Sequence, residues 1–248
     1  MSGHSKWAQI KRQKGVADAK RGQLFTKLGR ELTVAAREGA DPTGNARLRM
    51  AIQRAREANM PHDTIDRAIK RGSGAGEGAN YHEITYEGYG PGGAAVMVHA
   101  MTDNRNRAAA EIRSTFSRNG GNLGETGCVG WLFDSKGVIS IDVNGNDPDD
   151  LALMAIDAGA EDVQVSDDII EIYTDVADLE EVRTQLETGG IHIADASVSM
   201  IPKTTVDLDE KEAEQVFRLV ERLEELDDVQ NVYTNTEISD EVAARLVG

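Results

Sequence analysis

Early in the chain, apolar residues recur at helical spacing; later they alternate or run together as in strands. From about Asp18 to Glu38, Leu24, Phe25, Leu28, Leu32 and Ala35 share one arc of a helix. Lys20, Lys27, Arg30 and Arg37 share a roughly opposite arc, so the pattern predicts one buried face and one outward row of cations. A second helix is predicted from about Asn45 to Asn59. Its stripe is Leu48, Ala51, Ile52 and Ala55, flanked by Arg47 and Arg54 on one side and Arg49 and Arg56 on the other. Pro61 ends that run. Asp63 is the expected N-cap of a third helix with stripe Ile65, Ala68 and Ile69, and Gly72 suits the position just past its end. Three short helices with small stripes read as one bundle. Gly72 to Gly78 reads as a linker, and residues 1–14, which lack a core pattern, as an arm that orders on binding.

From residue 81 the period changes. Tyr81–Tyr86, Ala94–Met101 and Val129–Phe133 read as strands. Asp103 or Asn104 caps a helix that carries Ala109, Ile112 and Phe116 and stops at Gly120-Gly121. Next come a strand at Val138–Val143, a helix at Asp150–Ala158, strands at Val163–Val165 and Ile169–Tyr173, a helix at Ala177–Thr188, and a strand at Ile191–Met200. That order, β-α-β-β-α-β, is ferredoxin-like. The tail adds a helix at about Asp209–Leu226 and a strand near Val229–Tyr233. One helix cannot cover the three strands of 81–133, and the tail helix needs a sheet. The predicted class is α+β: an N-terminal three-helix domain followed by two α/β sandwich domains, one ferredoxin-like and inserted into the other. The expected boundaries are 1–75, 79–134 plus 204–248, and 135–203.

Charge sharpens this division. The net charge is −16, yet residues 1–71 hold 16 Lys and Arg against 7 Asp and Glu, whereas residues 134–203 hold 3 against 17. A bipolar molecule can bind a polyanion by one end while the other end repels it. A solvated helix face is the plainer reading of such a stripe. No apolar run approaches a membrane span, and no signal peptide opens the sequence. The single cysteine, Cys128, cannot form an internal disulfide, so a reducing cytoplasm is expected.

The motifs favour binding over catalysis. Gly88 to Gly93 lies between strands, where a dinucleotide fingerprint needs a helix to follow, so it reads as a glycine turn. Asn119-Gly120-Gly121-Asn122-Leu123-Gly124 follows a helix and reads as its C-cap. Asp149-Asp150, Asp167-Asp168 and Asp227-Asp228 read as solvated caps and turns rather than metal ligands. The histidines show no ligand spacing; His99 reads as a core histidine, and Cys128 has no base beside it in sequence. Asp103-Asn104-Arg105-Asn106-Arg107 puts two arginines where a strand meets a helix, either to hold phosphate or as a capping loop tied by a local ion pair. Trp7, set among cations, stacks on an unpaired base, docks onto a partner, or packs on its own chain.

These residues resemble the YebC/PmpR family, which includes mitochondrial translational activators of cytochrome oxidase. The matching motifs are Gly-His-Ser-Lys-Trp at 3–7, Asp-Ala-Lys-Arg-Gly at 18–22, Phe-Thr-Lys-Leu at 25–28 and Ala-Asn-Met-Pro at 58–61. Tyr-Glu-Gly-Tyr-Gly-Pro-Gly-Gly at 86–93, Thr-Asp-Asn-Arg-Asn-Arg at 102–107 and Asn-Gly-Gly-Asn-Leu-Gly-Glu-Thr-Gly at 119–127 also match. Past residue 136 the match is in pattern only, and Cys128 and Gly130-Trp131 depart from the residues usual there. The resemblance implies three domains with the helical one first, no enzymatic activity, and a role in gene expression. Some members are described as DNA-binding transcriptional regulators, others as ribosome-associated translation factors.

The expected function is a nucleic-acid-binding regulator of gene expression, acting either on duplex DNA or, as a translation factor on the ribosome, on ribosomal or transfer RNA. An enzyme has only glycine loops behind it. A protein-binding module would use the acidic face. The candidate nucleic-acid-binding residues are Lys6, Trp7, Lys11, Arg12, Lys14, Lys20, Arg21, Lys27, Arg30, Arg37, Arg47, Arg54, Arg105 and Arg107. No catalytic residue, metal ligand, cofactor, membrane or small-molecule substrate is expected. Reversing Lys27, Arg30 and Arg37 to Glu is expected to weaken binding.

Overall fold

The computed structural model describes residues 18–74, 80–166, 169–237 and 242. Three helices come first: α1 (Asp18–Ala35), α2 (Ala46–Glu57) and α3 (His62–Gly72). Leu28, Leu32, Leu48, Ala51, Ile52, Ile65 and Ala68 close over one another as their shared core. Leu24, expected on the buried arc, is 39% exposed. Asn45 ties the first two helices together. Its side chain accepts the Leu48 N–H at 2.9 Å, capping α2, and donates to the Ala35 and Gly39 carbonyls, each at 2.8 Å. The expected Asp63 cap is not formed. Pro61 takes that position without a side-chain bond, and Asp63 sits in the first turn, where its charge complements the helix dipole. Gly72 ends α3 against α1: a Cβ there would lie 2.1 Å from the Thr33 carbonyl oxygen.

Next come β1 (His82–Tyr89), β2 (Ala95–Thr102), α4 (Arg105–Arg118) and the short β3 (Asn122–Leu123). The second unit follows: β4 (Phe133–Asp142), α5 (Pro148–Asp157), β5 (Asp162–Val165), β6 (Ile169–Thr174), α6 (Leu179–Thr188) and β7 (Ile193–Pro202). The tail supplies β8 (Val206–Asp207), α7 (Glu210–Glu224), β9 (Val229–Thr234) and β10 (Thr236–Glu237).

One antiparallel sheet runs β3-β1-β2-β9, so the tail strand completes a sheet begun before the second unit. α4 and α7 cover one face, burying Val96, Val98, Ile112, Phe116, Val216 and Val220. The other sheet runs β5-β6-β4-β7, the ferredoxin-like order, with α5 and α6 packed over Ile139, Ile141, Ile170 and Ile172.

The strand expected at Val129–Phe133 is a short 3₁₀ turn at Gly130–Leu132, and β4 begins only at Phe133. The reason is local. The Val129 and Gly130 N–H groups donate to the Glu87 carboxylate at 2.8 and 2.6 Å, so neither is available to a ladder.

Candidate nucleic-acid interface

The basic row of α1 does not face solvent along its length. Gln23, Lys27 and Arg30, spaced i, i+4 and i+7, meet the C-terminal end of α7. Gln23 Nε2 donates to the Glu225 carbonyl at 2.5 Å, Lys27 Nζ to the Glu224 carbonyl at 2.7 Å, and Arg30 to the Asp227 carbonyl. The last carbonyls of a helix lack intrahelical partners and carry its negative dipole end, so cations docked there are doubly favoured.

Behind these bonds lies Asp228, 3% exposed. Its carboxylate pairs with Arg30 at 2.8 Å and Arg107 at 2.9 Å and accepts from Thr102 Oγ1 at 2.9 Å. One carboxylate thus joins α1, β2 and α4. The expectation that Asp227-Asp228 is a solvated turn is overturned at Asp228, because two guanidiniums and a hydroxyl replace its water. The hydrogen bonds that Arg107 donates to Asp228, then the one to Asp103, hold it further above its ordinary pKa. Asn104 caps α4 by accepting the Arg107 N–H, and Asp103 pairs with Arg107 at 2.9 Å, so this stretch is a capping loop tied by ion pairs.

The expected outward cation row is therefore corrected for Lys27 and Arg30, which are half-buried against the rest of the chain. Other candidates also have partners within the chain. Arg37 donates to the Tyr81 carbonyl at 2.7 Å and Asn80 Oδ1 at 3.1 Å. Arg47 pairs with Glu83 on β1, and Arg54 with Glu31 on α1. Arg105 lies 3.0 Å from His82 Nδ1. Arg49, a flanking residue of α2, pairs with Glu180 of α6 at 3.2 Å. Part of the bipolar charge pattern is thus an internal docking code. Arg21 is exposed, with its guanidinium 5.6 Å from the Phe25 ring. Lys6, Trp7, Lys11, Arg12 and Lys14 lie outside the described residues, as does the side chain of Lys20.

A basic surface remains on the bundle itself. Between α1 and α3 runs an open groove of about 350 Å³, with Thr26 and Gly29 on one wall, Thr64, Arg67 and Arg71 on the other, and Phe25 and Tyr81 along it. Arg67 and Arg71 are exposed and one turn apart. Arg67 is oriented by bonds to the Asp63 carbonyl and Thr64 Oγ1, both 3.1 Å. Arg30 forms the inner end, its guanidinium 5.5 Å from the Tyr81 ring. A Cβ on Gly29 would meet nothing within 4 Å, so that stretch of wall is open. Sequence reasoning passed over Arg67, Lys70 and Arg71. The signal was their i, i+3 and i+4 spacing opposite the stripe Ile65, Ala68 and Ile69.

A larger cleft, about 570 Å³, lies where the bundle meets both sheets, with His99, Tyr233, Arg47 and Arg54 among its walls. Burial pushes His99 down, against a weaker upward pull from Glu83, and pushes the Tyr233 hydroxyl up to about 12. Both are therefore neutral near pH 7. His99 packs edge-on to Tyr233 at 5.1 Å. Burial, reinforced by the Glu87 charge, pushes the Cys128 thiol up and away from a reactive thiolate.

Glu87 locks the Gly124–Gly130 loop. Burial raises its pKa, but the N–H groups of Gly127, Val129 and Gly130 together outweigh that and leave it below the usual value. Glu87→Gln puts an amide donor against an N–H and is expected to cost about 1–3 kcal/mol at neutral pH. The sign follows from the lowered pKa. The carboxylate's contribution is complete above its unfolded value, about 4.3, and is lost as pH falls through the folded value. Urea unfolding of both proteins at pH 7 and in acid checks this: the gap should close on acidification.

Comparison with known proteins places this architecture in a single family. The chain belongs to the TACO1/YebC family: residues 5–75 match the model of the TACO1/YebC protein N-terminal domain, and residues 81–236 that of the TACO1/YebC second and third domain. A protein from Pelotomaculum thermopropionicum, named "Probable transcriptional regulatory protein", is 58% identical over 97% of this chain and 100% of its own. One of the same name from Moorella thermoacetica is 58% identical over 96% of each chain. The crystal structure of a conserved hypothetical protein from Aquifex aeolicus superposes with a TM-score of 0.84 at 49% identity, covering 90% of this chain and 93% of that one.

Proposed function

We propose that this chain is a non-enzymatic regulator of gene expression that binds nucleic acid through the α1–α3 groove, with the cations of residues 1–20 extending the interface. The observation that carries this is an exposed arginine pair, Arg67 and Arg71, beside two aromatic rings on a molecule of net charge −16. Guanidiniums hold phosphates, and the acidic remainder turns a polyanion back toward that surface. We read the chain as three domains, 1–75, 79–134 plus 204–248, and 135–203, the last acidic.

The relatives' names favour transcription as the process, for which duplex DNA is the target we propose. The groove favours a second reading, folded RNA on the ribosome. α3 lies alongside α1 and leaves a shallow aromatic channel rather than a projecting recognition helix. Cosedimentation with ribosomes, set beside binding to duplex DNA at physiological salt, separates the two. Both should weaken in R67E/R71E. Binding of both that is indifferent to this reversal would overturn the groove as the interface.

A further inference from the structure

The geometry points to a second site for nucleic acid, an aromatic platform made by Trp131 and Tyr89 that stacks an unpaired base. It rests on the reading that the chain binds nucleic acid, and it gives the two glycine-rich motifs a role. Trp131 is 66% exposed and Tyr89 41%. Neither is a loose side chain. Trp131 Nε1 donates to the Cys128 carbonyl at 3.1 Å, and Tyr89 Oη donates to the same oxygen at 3.0 Å. The two polar ends share one acceptor, which ties both side chains to the same loop. With those ends engaged, the exposed area that each side chain keeps includes apolar ring surface. Fixed aromatic faces lose little entropy on binding and accept any base.

The setting is rigid and bare. Glu87 holds the loop beneath Trp131 through three N–H groups, and Val129 and Phe133 anchor it in the core. Tyr89 pairs with Asn122, and Gly121 passes so near that a Cβ would lie 2.8 Å from the Tyr89 carbonyl oxygen. That brings together the Gly88–Gly93 and Asn119–Gly124 stretches. Gly127, in the loop that Glu87 holds, has open space where a side chain would be. Charge also fits. Residues 88–102 contain no Asp, Glu, Lys or Arg, and residues 119–133 contain only Glu125. Two carboxylates stand next to these stretches, Glu87 beneath the loop, where three N–H groups engage it, and Glu212 beside Gly92, so the platform suits a base face rather than a phosphate. The exposed Asn122 lies beside the platform with an amide for a base edge.

The test uses the full chain with two labelled probes: oligoadenylate and an abasic sugar-phosphate oligomer of equal length. Trp131→Ala should weaken oligoadenylate about five-fold or more and leave the abasic oligomer unchanged, and Trp131→Phe should recover most of the loss. Equal affinity of W131A and the parent for oligoadenylate would overturn the platform while leaving the groove standing. So would equal weakening of both probes, which marks a structural effect. Failure of the parent protein to bind either probe would overturn the platform alone, since the groove reading is decided on ribosomes and duplex DNA.

Discussion

Asp228→Ala is expected to destabilise the protein by about 3–5 kcal/mol, because it leaves Arg30 half-buried with no counter-charge. The carboxylate is enclosed, and its partners come from three separate stretches of chain. Truncation removes both ion pairs and the Thr102 bond at once. The backbone bond from the Met101 N–H to the Asp228 carbonyl, 2.8 Å, survives, so the packing on β2 should hold while α1 loosens. Hydrogen exchange should localise the opening to α1 and the end of α7. Asp103→Asn is the control. It removes only an exposed i, i+4 pair and should cost less than about 1 kcal/mol. Comparable losses in the two variants would show that the buried carboxylate is not the clasp described.

The second large effect separates two sets of cations that look alike in sequence. K27E/R30E places carboxylates against the Glu224 and Asp227 carbonyls and against Asp228. Like charges meet at a helix C-terminus, so the bundle should undock and the melting temperature fall. R67E/R71E changes only exposed positions; a carboxylate at 71 opposes the α3 dipole and one at 67 meets Asp63, so the cost should be about 1 kcal/mol, well below that of undocking. Its effect should fall on nucleic acid: weaker binding, and a log–log salt slope reduced by about 0.7–0.9 for each phosphate no longer neutralised. The expectation that reversing Lys27, Arg30 and Arg37 weakens binding thus acquires another cause, since such a protein would first lose its docking.

Periodicity was enough for the architecture. Leu28 and Leu32, Leu48 and Ile52, and the strand–helix order after Val138 each report a local fact about which face is apolar. That the tail helix needs a sheet is likewise legible, and β9 supplies the pairing beside β2. Orientation of charge is different. A lysine facing water and a lysine facing a helix C-terminus have the same spacing, so Lys27 and Arg30 could not be told from Arg67 and Arg71. The Asp228 clasp joins residues 30, 102, 107 and 228, and the Glu87 lock spans about forty positions. Neither leaves a mark in any local window. The strand misread at Val129 has the same origin, because its N–H groups were already taken by Glu87 from a distant strand.

The most direct test measures affinity for a labelled stem-loop RNA and a labelled DNA duplex across a salt series, in the parent protein and in R67E/R71E. The variant should melt within a few degrees of the parent, bind whichever probe the parent prefers more weakly, and show a shallower salt slope. A variant that melts as the parent does and binds with the same affinity and the same slope would contradict the account.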